Sequence, residues 1–73
     1  MKINKILHDM LLADAEADRT KATLTLDLLG NRPAGIGDHS TSDFYDNAKE
    51  ALCALVDAND RIDTLVDFDT YDG

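Results

Sequence analysis

Tryptophan is absent from this 73-residue chain, and cysteine and proline occur once each, at Cys53 and Pro33. Two Phe, two Tyr and four Gly are the only other residues of their kinds. A single cysteine excludes an intrachain disulfide. Cys53 falls in the apolar run Ala51–Val56, where a small buried thiol is expected, and neither Lys49 nor Glu50 supplies the base a nucleophile needs. Such a thiol suits a reducing compartment. No run approaches the ~18 apolar residues of a membrane span. The apolar stretch near the start is interrupted by His8, Asp9 and Asp14, which breaks a secretory pattern. The expectation is a soluble, cytoplasmic protein.

Positive charge is also scarce. Thirteen Asp and two Glu face seven Lys and Arg, for a net charge of −8. The imbalance is local. Residues 1–30 hold four bases and five acids, a net −1, whereas residues 31–73 hold three bases and ten acids, a net −7. A nucleic-acid binder needs a basic face to neutralise phosphates, and an anionic membrane surface makes the same demand. Neither partner is expected. A basic protein surface is the natural electrostatic complement.

What is abundant is helical spacing. In the first half, Ile3, Leu7, Met10, Ala13 (or Asp14), Ala17, Leu24 and Leu28 recur on one face, with Ile6 and Leu11 beside them and Asn4 as a candidate cap. Asp18–Lys21 is a supporting i,i+3 pair. The stretch Ala22–Leu29 also alternates leucine with polar residues around Thr23 and Thr25, a strand pattern. Helix is favoured because a lone strand in so short a chain has no evident mate. Gly30 then reads as a C-terminal cap in the left-handed conformation, with Pro33 beyond it. In the second half, Ser40 or Ser42 can start a helix with Asp43 and Asp46 in its first turn. Its stripe is Phe44, Ala48, Ala51, Leu55, Ala58, Ile62 and Leu65, flanked by Leu52 and Val66. Asp57–Arg61 is an i,i+4 pair in the favourable order.

These patterns predict an all-α, two-helix antiparallel hairpin forming one domain over residues 1–66. Its helices span about 3–29 and 42–66, joined by a Gly/Pro-rich loop at about 30–41. Packing residues are Leu7, Met10, Leu24, Leu28, Phe44, Leu52, Leu55, Ile62 and Leu65. Asp57, Asp60, Asp63, Asp67 and Asp69 make an acidic face. Carboxylates at a helix C-terminus oppose its dipole, so fraying by Val66–Phe68 and a flexible acidic tail at 67–73, carrying Phe68 and Tyr71, are expected. A chain below about 80 residues rarely stabilises itself without a disulfide, a metal or a partner. Oligomerisation into a helical bundle is the expected remedy.

Chemistry has few places to reside. Gly35-Ile36-Gly37 before a helix lacks the lysine of a phosphate loop, since Asp38 and His39 follow. The glycines read as shaping the loop. His39 among Asp38, Asp43 and Asp46, with His8 and Asp9 as distant additions, reads as a hydrogen-bonding group and not as a metal ligand set. Asp57-Ala58-Asn59-Asp60-Arg61-Ile62 begins like a calcium loop, but Arg61 occupies a ligand position and the required glycine is missing. No cofactor, metal or catalytic residue is assigned, and the chain is expected not to be an enzyme.

Asn31, the segment Pro33 to His39 (PAGIGDH), Asp43-Phe44-Tyr45 and the Ala48/Ala51/Leu52/Leu55 helix with Asp57 and Asp60 resemble small proteins of tailed bacteriophages, including those of cyanobacteria. The resemblance covers about half of the chain. It implies a phage setting, either in the host cytoplasm or in the virion, and gives weight to the loop residues Pro33, Gly35, Gly37, Asp38 and His39. The function expected is a homo-oligomeric interaction module. It would present loop and acidic helix to a phage or host protein. The alternative is a DNA mimic or a host-polymerase-binding inhibitor.

Overall fold

The computed structural model describes residues 1–31 and 41–72. Asn4 opens the first long element. Its side-chain oxygen accepts from the backbone N–H groups of Ile6 at 2.9 Å and Leu7 at 3.3 Å, satisfying two donors that a helix start leaves unpaired. Helix α1 then runs Lys5–Gly30. The Ala22–Leu29 segment is helical throughout. Its threonines do not oppose this. Thr20, Thr23 and Thr25 each turn the hydroxyl back onto the carbonyl four residues earlier, at 2.8–3.0 Å, a bond available only in a helix. The apparent leucine alternation divides around the cylinder: Leu26 is half-buried toward the second helix, while Leu24 and Leu28 face outward.

Gly30 is the last helical residue and not a left-handed cap. The cap is Asn31, at φ −94° and ψ 0°. Both its backbone N–H (3.1 Å) and its side-chain amide (2.9 Å) donate to the Asp27 carbonyl. Helix α2 spans Thr41–Val66, so Ser42 lies inside it and not at its cap. The two helices pack against each other antiparallel, as a hairpin, in a rod with extents of 54 × 14 × 14 Å.

The tail does not fray. Asp67 and Phe68 donate to the Thr64 and Leu65 carbonyls at 3.2 and 3.1 Å, closing α2 with a tight turn. Strand β2, Asp69–Tyr71, follows and pairs in parallel with strand β1, Lys2–Asn4, in the register Lys2↔Asp69, Ile3↔Thr70, Asn4↔Tyr71. The expected flexible tail is therefore corrected for residues 69–71, and Phe68 is half-buried. The mate that a lone strand needs lies at the other end of the chain. The hairpin brings the two ends together.

The core is a narrow seam of small side chains. Ala15, Ala22, Ala51, Ala58 and Leu65 are its buried residues. They recur at seven-residue intervals: His8, Ala15, Ala22 and Leu29 on α1, and Phe44, Ala51, Ala58 and Leu65 on α2. This is the heptad spacing of packed helix pairs. Alanine at the contact lets the axes approach to the short end of the helix-packing range. The α2 stripe read from sequence is this seam, with Phe44, Ala48, Leu55 and Ile62 half-buried in it. Leu52 and Val66 flank it and are exposed.

The α1 stripe read from sequence is not the seam. Leu7, Met10, Leu24 and Leu28 are 43–59% exposed. At about 100° per residue, the line through Ala15 and Ala22 lies nearly opposite the line through Met10, Ala17 and Leu24. Helix α1 thus carries two apolar faces. The smaller side chains meet α2 because only they permit close approach. Cys53, expected to be buried, is exposed, since it lies on the far side of α2 from the Ala51–Ala58 line.

Candidate interaction surfaces

Two polar clamps fix the hairpin's register. Arg61, at the edge of the seam on α2, reaches across to α1. Its Nη2 donates to Asp18 Oδ2 at 2.7 Å and its Nη1 to Asp14 Oδ2 at 3.4 Å, while its Nε donates to Asp57 on its own helix at 3.1 Å. The hydrogen bond to Asp18, against some desolvation, holds the guanidinium above its ordinary pKa. Asp14 and Asp18 stand one turn apart on α1, so both meet the same planar fork. The expected Asp18–Lys21 pair is replaced by this contact. Near the other end, His8 Nε2 lies 2.8 Å from the Leu65 carbonyl. A carbonyl only accepts, so this nitrogen carries the proton and donates. It joins the Phe68 N–H on one of the last carbonyls of α2, which have no partner within their own helix. On the surface, Lys5 bonds Asp9 at 3.1 Å and thereby holds that carboxyl below its usual value.

These contacts show where several of the described candidates lie. His8 sits at the Leu65 end of the hairpin, whereas Asp43 and Asp46 begin α2 at the opposite end, some 30 Å away along a 1.5 Å rise per residue. They form no common site. Among the described residues, no group of three or more His, Cys, Asp or Glu side chains is placed to hold a metal ion. Pro33, Gly35, Gly37, Asp38 and His39 lie outside the described residues. No helix among the described residues is long and apolar enough to cross a membrane.

The outward faces differ in character. On α1, Ile6 (80% exposed), Met10, Ala13, Ala17, Leu24 and Leu28 line the face directed away from α2. On α2, the corresponding outward side carries Asp46, Cys53 and Asp60, all exposed, with Asp57 and Asp63 on either side and Asp67 in the turn just beyond the helix. Asp57 is engaged by Arg61, and Asp69 has left the helix for β2. The acidic face read from sequence is therefore three helical positions, Asp57, Asp60 and Asp63, one turn position, Asp67, and one strand position, Asp69. An apolar patch of Tyr45, Leu52 and Val56 borders it.

The sequence placed Arg61 with Asp57, Asp18 with Lys21 and His8 beside the loop cluster, and did not reveal the contacts of Arg61 with Asp14 and Asp18 or of His8 with Leu65. One signal was present: Arg61 follows Ala58 by three residues and precedes Leu65 by four, which places a cation at the seam's edge. The face carrying Asp14 and Asp18 could be known only from the pairing of the helices.

No family model, curated protein or solved structure matches this chain.

Proposed function

We propose that this protein is a non-catalytic interaction module with two working faces. It self-associates through exposed apolar helix surface and presents acidic α2, with the connecting loop, to a protein partner that supplies basic groups. The observation that carries this reading is the division of the hairpin: large apolar side chains back α1, carboxylates back α2, and mainly alanines lie between. Monomeric proteins rarely leave so much contiguous apolar surface uncovered. The alanine seam removes little apolar area from water, so the hairpin gains from covering the rest. No polar or charged side chain is buried among the described residues, and the grooves beside the seam are open, which favours contact over catalysis. A phage setting, with the protein in the host cytoplasm or the virion, follows from the resemblance of its loop and second helix.

The test is light scattering coupled to size exclusion, in low and high salt, with capture from a host lysate by the wild type and by the triple variant D60N/D63N/D67N. Salt-resistant self-association and a captured protein lost with the variant are expected. A salt-independent monomer that captures nothing sinks the reading.

The second reading is inhibition by charge, as a DNA mimic or polymerase-binding protein. The row Asp57, Asp60, Asp63, Asp67 favours it. Its axial steps are about 4.5–6 Å, wider than the ~3.4 Å axial rise per phosphate of one DNA strand, so the match is partial. Mimicry expects binding that falls linearly with the logarithm of salt concentration.

A further inference from the structure

The outer face of α1 has an internal order that selects its occupant. Along Ile6, Met10, Ala17, Leu24 and Leu28 it runs large, large, small, large, large over ~33 Å of helix. Positions 6 and 28, and 10 and 24, are equidistant from Ala17, so reversing the direction reproduces the size profile of these five, while Ala13 falls opposite Lys21. Two copies turned against each other would set Ile6 against Leu28, Met10 against Leu24, and Ala17 against itself. That is the self-complementarity a two-fold interface requires.

Charge points the same way. Residues 41–72, with two bases and nine acids, carry a net −7 that lies outside this face, and α2 projects from the opposite side of each hairpin. Contact through α1 keeps the two acidic helices apart, whereas contact through Tyr45, Leu52 and Val56 would bring them together at a cost in repulsion. Direction is decided by the ends. Asp60, Asp63, Asp67, Asp69 and Asp72 crowd one end of the rod. Parallel copies would put both acidic ends side by side, and antiparallel copies place them a helix length apart. Asp14, which Arg61 already contacts at 3.4 Å, and Lys21 lie along one edge of the face, and reversal brings Lys21 of each copy toward the outer side of that clamp in the other, so no like charges meet there.

We infer that a second copy of this chain docks on the outer face of α1, antiparallel, with the two-fold axis at Ala17. This rests on the self-association reading above and specifies its face and register. The dimer is a row of four helices, with α2 outermost on both sides and Asp60 and Asp63 directed away from the contact.

The experiment uses the full chain in a C53S background, because Cys53 is exposed and would itself react. Variants A17C, M10C, L24C and the off-face control T23C are treated with a short bismaleimide, beside light scattering of the wild type. The expected result is that A17C cross-links to itself. M10C and L24C cross-link only when mixed, and T23C does not cross-link. Self-linked M10C and self-linked L24C would mean parallel copies and overturn the proposal. A wild-type dimer with no cross-link at 10, 17 or 24 would overturn this face while leaving self-association standing. A wild-type monomer would overturn both. L24D supplies a check independent of chemistry. Leu24 is 56% exposed in the hairpin, so that variant keeps its helical circular dichroism and loses the dimer. A retained dimer in L24D would remove the face from consideration.

Discussion

Ala58 has 0% exposure, the deepest position in the seam. Ala58→Leu adds three carbons where α1 and α2 already touch. The helices must separate locally or the new side chain must leave its preferred rotamer. Either costs about 1–3 kcal/mol. In a domain of this length each kcal/mol shifts the melting temperature by roughly 4–8 °C, so a central value of ~2 kcal/mol lowers it by ~8–16 °C. Ala54→Leu is the control. It makes the same chemical change one turn away at an exposed position and is expected to stay within about 0.5 kcal/mol of wild type. Urea and thermal unfolding followed by far-UV circular dichroism measure both, at one fixed protomer concentration because association would add to stability. If Ala58→Leu and Ala54→Leu unfold together with wild type, the alanine seam is not where the helices meet.

Further outcomes follow from the same contacts. Gly30→Ala is expected to stabilise the protein by about 0.4–1 kcal/mol, because Gly30 ends α1 and a Cβ there would meet nothing within 4 Å; a lower melting temperature would mean that the residue needs glycine's backbone freedom. Asn4→Ala removes the acceptor for Ile6 and Leu7 N–H and should cost about 1 kcal/mol, read as a lower urea midpoint; an unchanged midpoint would remove the cap from the account. A double-mutant cycle of Arg61→Ala with Asp18→Ala should show a favourable coupling that shrinks in high salt, since the pair is partly solvated; zero coupling at low salt would refute the clamp. Asp9 is held below its ordinary value by Lys5, so this pair's contribution is fully present above the unfolded carboxyl's pKa and lost as pH falls through the folded one. Lys5→Ala should therefore flatten the acid limb of the melting-temperature profile below about pH 4, and an acid limb identical to wild type would argue against the pairing.

The sequence by itself determined the helical character, the hairpin and the α2 seam apart from Leu52, which was read as a packing residue and is exposed. On α2 a single set of seven-spaced apolar residues, Phe44 through Leu65, competes with carboxylates elsewhere, so only one face can be buried. It also determined the Asn4 start and the Asp57–Arg61 pair, which are local. Helix α1 was ambiguous because it is apolar on two opposite faces, and hydrophobicity favours the wrong one: Met10, Leu24 and Leu28 exceed Ala15 and Ala22 in apolar surface. Tertiary structure chose the alanines, since close approach of the axes, the Arg61 fork to Asp14 and Asp18, and the His8 contact with Leu65 are available only in that orientation. The β1–β2 pairing was invisible for a related reason. Three-residue strands carry almost no pattern of their own, and their pairing exists only because the hairpin returns residues 69–71 to residues 2–4. Local periodicity made the helices, and the partner helix decided which side of α1 became the inside.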